Sequence, residues 1–107
     1  MTTLARIQAL VTLGKWQPTH HALRRLQQRD LLLADAVASL EHGEIVEDYP
    51  NDPRGPSLLL LSFTPNKLPL HTVWGIANIG EEIVSLVTVY VPDPSEWLDD
   101  HKTRREK

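Results

Sequence analysis

Apolar positions along the chain change their spacing near residue 43, and the change divides the sequence into a helical half and a strand half. Leu4, Ile7, Leu10 and Val11 recur at three- and four-residue intervals, the period of one helix face, over residues 3 to 13. Gly14 is the expected stop, and Trp16 falls in a connector. Ala22, Leu23 and Leu26 form the apolar side of a second helix beginning near Pro18, where a missing N–H is harmless because first-turn amides lack helical partners. Leu33, Ala36, Val37 and Leu40 predict a third helix from Leu33 to His42, with Gly43 in the left-handed C-terminal position.

From Glu44 onward the period shortens. Glu44 to Tyr49 reads as a first strand, and residues 50 to 56 (PNDPRGP) are a loop by their prolines and glycine. Ser57 to Phe63 is apolar on both faces, as a central strand requires. Leu70 to Ala77 is a third strand, on which His71 shares a face with Val73 and Gly75, the glycine marking a bulge or a close approach. Ile83 to Val91 is β-branched and predicts a fourth, with Tyr90 on the side opposite Val87, Val89 and Val91. Asp93 as a cap, Pro94 in a first turn and Glu96 near a helix N-terminus predict a short C-terminal helix, pinned by Trp97. The expected architecture is α+β, with N-terminal helices packed on a four-stranded antiparallel β-meander and a short C-terminal helix. One domain spans 1–107, with residues 1–17 a helical extension and 18–107 the domain proper.

Composition narrows the classes. A chain of 107 residues that is 41% apolar builds one core. Without cysteine there is no disulfide framework, thiol nucleophile or thiolate metal site. No apolar run is long enough to span a membrane, and the N-terminus lacks the pattern of a secretory signal, which together fit a cytoplasmic protein. The formal charge of −3 argues against a general nucleic-acid binder, since phosphate contacts need a basic footprint. Here the charges are segregated. Arg24, Arg25 and Arg29 crowd one helix, Glu41, Glu44, Glu47, Asp48 and Asp52 follow without a cation, and Lys102, Arg104, Arg105 and Lys107 close the chain.

The stretch THHALRRLQQRD, residues 19 to 30, is the densest in chemistry. On a helix His21, Arg24, Arg25, Gln28 and Arg29 share one half, opposite Ala22, Leu23 and Leu26. Adjacent His20 and His21 diverge by about 100° on a helix and cannot readily chelate one ion. No HExxH motif, Cys/His cluster, phosphate-cradling glycine loop or serine nucleophile elbow is present, so neither a metal nor a cofactor is expected.

Four segments in order, HAxxRLxxRDL (21 to 31), GEIVEDYPNDPRGPSLLLL (43 to 61), LPLHTV (68 to 73) and VTVYVPDPSEW (87 to 97), resemble the bacterial DUF4258 family over residues 18 to 105. The resemblance implies a fold similar to small RNases of the barnase, colicin and RelE type, the BECR fold. It also implies a toxin–antitoxin setting, with a zinc-finger antitoxin of the YgiT type as partner. The family pattern carries His21, Ala22, Arg29, His71 and Tyr90 onto this chain and departs from it at Asp30, where glycine is usual.

Those residue types suit RNA cleavage without a metal. Histidine has a pKa near working pH for moving the 2′-hydroxyl proton and protonating the 5′-oxygen. Arginine offers a planar fork to phosphate oxygens. The expectation is that His21 and His71 divide the base and acid roles, with Arg25 on the phosphate and Tyr90 assisting. His20, Arg24, Arg29 and Arg54 would contact RNA. The competing expectation is a non-catalytic protein- or RNA-binding module on the same fold. In it the histidines are a helix start and a bonded strand residue, the helix arginines pair with the acidic stretch 41 to 52, and Arg54 is an exposed loop residue. Trp16, Trp74 and Trp97 are expected in packing, since stacking on bases requires exposure.

Overall fold

The computed structural model describes residues 1–106 and contains three helices and five strands. In chain order these are α1 (Thr3–Thr12), β1 (Trp16–Pro18), α2 (His20–Gln28), α3 (Leu33–His42), β2 (Glu44–Tyr49), β3 (Ser57–Phe63), β4 (Pro69–Asn78) and β5 (Glu82–Tyr90). The fold is α+β, but the sheet is not a four-stranded meander. Its order is β1-β5-β4-β3-β2, antiparallel from β2 to β5 and parallel where β1 joins β5. Trp16 therefore lies in an edge strand rather than a connector, opposite Val84, with Pro18 opposite Leu86. Three residues are too few to show a period, which is why the strand is invisible in the apolar pattern.

All three helices cover one face of this sheet. Ile7 of α1, Ala22 and Leu26 of α2, and Ala36 and Leu40 of α3 pack against Leu58 and Leu60 of β3, Leu70, Trp74 and Ile76 of β4, and Val84, Leu86 and Val89 of β5. Trp74 is fully buried there, with Trp16 tilted against it at 6.1 Å between ring centroids. Its indole N–H donates to Thr72 Oγ1 at 3.0 Å, and Thr72 bonds Ser39 of α3 at 2.8 Å. A buried polar cluster with every member satisfied fixes α3 on β4 without leaving a desolvated group. Among the described residues, no helix is long and apolar enough to cross a membrane.

Local starts and stops differ from expectation in four places. α2 begins at His20, not near Pro18, because Thr19 is its cap, accepting from the Ala22 amide at 3.0 Å. The same hydroxyl donates to the Val87 carbonyl at 2.8 Å, which ties the start of α2 to β5. Leu23, expected on the buried side, is 41% exposed, leaving Ala22 and Leu26 to carry the packing. Gly43 is extended (φ −79°) rather than left-handed; glycine is needed there for space, since a Cβ would stand 2.3 Å from the Ser39 carbonyl oxygen. Asp30, where the family pattern has glycine, does adopt a positive φ of 53°, a conformation open to Gly and tolerated by Asp.

The fourth difference is the C-terminus, which is a hook instead of a helix. Asp93 caps a single turn, its carboxylate accepting the Ser95 amide at 2.8 Å and its carbonyl the Trp97 amide at 3.0 Å. The chain then reverses, so that Trp97 pairs with Arg104 as an isolated antiparallel bridge and Leu98 N–H donates to the Thr103 carbonyl at 2.8 Å. Asp100 holds the reversal, accepting the amides of Lys102 and Thr103 at 2.9 and 3.0 Å.

Gly55 shows how tightly the 50–56 loop lies on the sheet. It has φ +117°, and a Cβ there would come within 1.9 Å of the Ile76 carbonyl oxygen. Gly55→Ala is expected to lower stability by about 1–3 kcal/mol, whereas Gly14→Ala, at φ +77° but in open space, loses only about 1 kcal/mol. Urea denaturation of the two variants checks this, and a larger loss in Gly14→Ala than in Gly55→Ala would contradict it.

Candidate active site

The face of the sheet turned away from the helices carries two of the candidate residues, His71 and Tyr90. Successive strand residues point to opposite faces, so with Trp74 and Thr72 in the core, His71, Val73 and Gly75 of β4 face outward. Leu59 and Leu61 of β3 and Glu47 of β2 are their neighbours in register. On β5 a bulge opposite Val73 and Trp74 changes the alternation. Val89 joins the core while Val87 and Tyr90 both serve the outward face, so Tyr90 is not opposite Val87 as a regular strand would have it. The bulge also sets Tyr90 directly across from His71.

His71 is fully buried, and both ring nitrogens are bonded. Nε2 lies 2.7 Å from the His101 carbonyl oxygen and Nδ1 3.2 Å from the Tyr90 hydroxyl. Trp97 from the hook covers the ring edge-to-face at 4.6 Å, itself 2% exposed. Arg104 lies over the Trp97 indole at 4.5 Å and forks onto Glu47 at 2.9 and 3.2 Å, while Tyr49 donates to the same carboxylate at 2.9 Å. Burial pushes the His71 imidazole below its ordinary pKa, outweighing the His101 carbonyl and the Glu47 charge, which act the other way. Burial likewise raises the Tyr90 phenol. The Arg104 hydrogen bond holds the Glu47 carboxyl below its usual range.

Tyr90 is half-buried, and two clefts meet at it. One is lined by Arg25 and Arg29 of α2 together with Tyr90, Asp93 and Glu96. The other is lined by Tyr90, Arg104, Glu47, Tyr49, Arg54 and Ser57. α2 runs along β5 from Thr19, tied at Val87, to Arg29, whose charge reaches Asp93, so its basic stripe comes round the sheet edge beside Tyr90.

The sequence-derived candidates therefore separate. Arg25, Arg29 and Tyr90 share a cleft, and Arg54 lines the adjoining one, its guanidinium held by Asp52 at 3.4 Å. His71 stands behind Tyr90, sealed from solvent. His20, His21 and Arg24 are exposed on α2 and line neither cleft. The two histidines are not brought to one pocket, because the helices pack on one face of the sheet and His71 points from the other. The α2 arginines do not pair with the acidic stretch. Glu44 bonds Lys102, Glu47 bonds Arg104 and Asp52 bonds Arg54, while Arg24, Arg25 and Arg29 form no ion pair among the described residues. Sequence reasoning missed Glu47, His101 and Arg104 at the site; Trp97 was expected in packing and does pack, but its place over His71 was not foreseen. Opposite charge on the 44–52 segment and on the C-terminus was a readable signal for the Glu47–Arg104 pair; a backbone carbonyl leaves none.

A small α+β domain with a buried histidine behind an arginine-flanked tyrosine is thus what the fold and site define. The family described as "Domain of unknown function (DUF4258)" matches residues 19–91, from the α2 cap through β5, and the chain belongs to it. No curated protein and no solved structure matches the chain.

A folded-state pKa below the ordinary histidine value of 6.5 means that the unfolded chain binds the proton more readily. Stability should be level above pH 6.5 and fall as pH drops from there to the folded-state pKa. Urea midpoints measured across that window are expected to lose this acid-side slope in His71→Gln; an unchanged slope would contradict it.

Proposed function

We propose that the protein is a small, metal-independent endoribonuclease of the toxin kind, related to the BECR-fold RNases and held in check by an antitoxin. The observation that carries the reading is the shared cleft of Arg25, Arg29 and Tyr90, with His71 hydrogen-bonded behind the tyrosine hydroxyl. The arginine forks hold the non-bridging oxygens of one phosphodiester and stabilise the charge that gathers on them. The Tyr90–His71 pair takes the 2′-hydroxyl proton, the 2′-oxygen attacks phosphorus, and the P–O5′ bond breaks. The 5′-oxygen takes its proton from water, leaving a 2′,3′-cyclic phosphate. DNA lacks the nucleophile.

In this reading the proton chemistry passes from a histidine pair to a tyrosine–histidine pair. His21 becomes, with His20 and Arg24, an outer contact along the RNA, and Arg54 flanks the next nucleotide from the adjoining cleft. A partner that inhibits it needs only to cover the α2 arginines with carboxylates. A zinc-finger antitoxin, as implied by the family resemblance, is the partner proposed, and both act in the cytoplasm.

A second reading, a binding module without catalysis, has one specific observation in its favour. Asp93 and Glu96 line the same cleft as the arginines and would repel a phosphate chain.

Purified protein incubated with RNA in a chelator separates the two. Tyr90→Phe is expected to slow cleavage by about 10²-fold or more, and Arg25→Ala by about 10²–10³-fold. His21→Ala should stay near the wild-type rate, and DNA should remain intact. Intact RNA with the wild-type protein, or full activity in Tyr90→Phe, would leave the module as the better description.

A further inference from the structure

We propose that the C-terminal hook, residues 93–106, is a positioning element that fixes the direction of the hydrogen bond between His71 and Tyr90 and makes Tyr90 a proton acceptor towards the cleft. This rests on reading that pair as the proton-handling group. The hook lies beyond the residues matched to the family, which end at 91, yet it supplies the cover over His71 and one of the ring's two hydrogen-bond partners.

The direction follows from what each atom is able to do. A backbone carbonyl oxygen only accepts, so Nε2, 2.7 Å from the His101 oxygen, carries the ring hydrogen. With the imidazole neutral, Nδ1 then holds a lone pair and accepts from the Tyr90 hydroxyl at 3.2 Å. The phenolic hydrogen is thereby committed inward, and the oxygen turns lone pairs to the cleft that Arg25 and Arg29 line. Without the carbonyl, the ring is free to carry its hydrogen on Nδ1. Tyr90 would then accept from the ring and present its hydrogen to the cleft as a donor. The hook decides between a base and an acid at one atom.

Its own geometry holds that carbonyl in place. His101 has φ +59°, in the left-handed region, at the reversal of the hook. Asp100 bonds the amides of Lys102 and Thr103 and the Thr103 hydroxyl, the last at 2.7 Å. The Arg104 fork on Glu47 ties the returning limb to β2, and Trp97 lies between Arg104 and His71. In the reaction the Tyr90 oxygen takes the 2′-hydroxyl proton as Tyr90 passes its own to Nδ1. His71 is then transiently doubly protonated, with Nε2 on the carbonyl and Nδ1 on Tyr90; burial and Arg104 oppose that charge, and the Glu47 carboxylate offsets part of the cost.

The test is multiple-bond ¹⁵N–¹H correlation of the His71 ring in labelled full-length protein at neutral pH. Wild type is expected to show the Nε2–H tautomer alone. Asp100→Ala and Thr103→Val, two separate ways of loosening the reversal, should each mix in the Nδ1–H form while the amide pattern of the core strands is retained. Asp100 lines neither cleft, so in RNA cleavage its variant should lose roughly tenfold or more in kcat with KM little changed. His101→Asn keeps the carbonyl and tolerates the left-handed backbone, and should retain the wild-type tautomer and rate. Nδ1–H in the wild type, or an unaltered tautomer in both loosened variants, overturns the proposal. If the tautomer responds as expected but wild-type protein cuts no RNA, the nuclease reading falls and the hook's control of the pair stands.

Discussion

Burying an imidazole in a protein interior costs free energy unless both ring nitrogens find partners, and that requirement organises a whole face of this molecule. The three helices can cover only one side of the sheet. On the other side His71, Leu59 and Leu61 would meet water, yet all three are at most 5% exposed. The hook closes over His71, Trp97 giving apolar cover and the His101 carbonyl giving Nε2 its partner, while Tyr90 of β5 serves Nδ1. The Arg104 fork and the Lys102–Glu44 pair hold the hook's returning limb against β2, so the segment 44–49 is a clasp as well as an edge strand.

The parts of the fold legible in the sequence are those whose residues decide their own conformation. The Leu33–His42 helix and the strands at Ser57–Phe63 and Glu44–Tyr49 follow from periodicity and flanking breakers, and they stand where the pattern predicts. What was not legible depends on distant contacts. β1 exists because Lys15 and Thr19 bond β5, and the hook exists because Trp97 has a histidine to cover. The Asp93-Pro94-Ser95-Glu96 signal does mark a cap, but one capped turn does not make a helix when the next large residue is pulled onto the sheet.

The site was half legible for the same reason. Arg25 and Arg29 announce themselves by helical spacing, and the cross-strand neighbours His71 and Tyr90 by the family pattern. Their partition was not, because a period of two says which face a residue takes but not which face the helices choose. Pairing His21 with His71 assumed that helix and histidine meet on one side of the sheet. The core cluster runs through Trp74, whose face alternates with that of His71, so every helix lies across the sheet from it. The bulge on β5 then decides which aromatic stands over the histidine, and a bulge has no signature in a β-branched run.

Net charge says little about how the charges are paired. The formal −3 sums carboxylates and cations that the fold pairs unevenly. Glu44, Glu47 and Asp52 are each engaged by a local cation, and the cations that hold the first two come from the hook. That leaves Arg25 and Arg29 beside the half-buried tyrosine with no ion pair among the described residues, and with Asp93 and Glu96 in the same cleft. Like charges within two helical turns repel one another, and in the cleft Asp93 and Glu96 stand near Arg25 and Arg29 to offset that repulsion. Under the proposed function, a phosphate chain and an acidic protein surface are rivals for the same stripe. If the proposed nuclease reading holds, an inhibitor needs no contact with His71, because covering Arg25 and Arg29 closes the cleft in front of the Tyr90 hydroxyl.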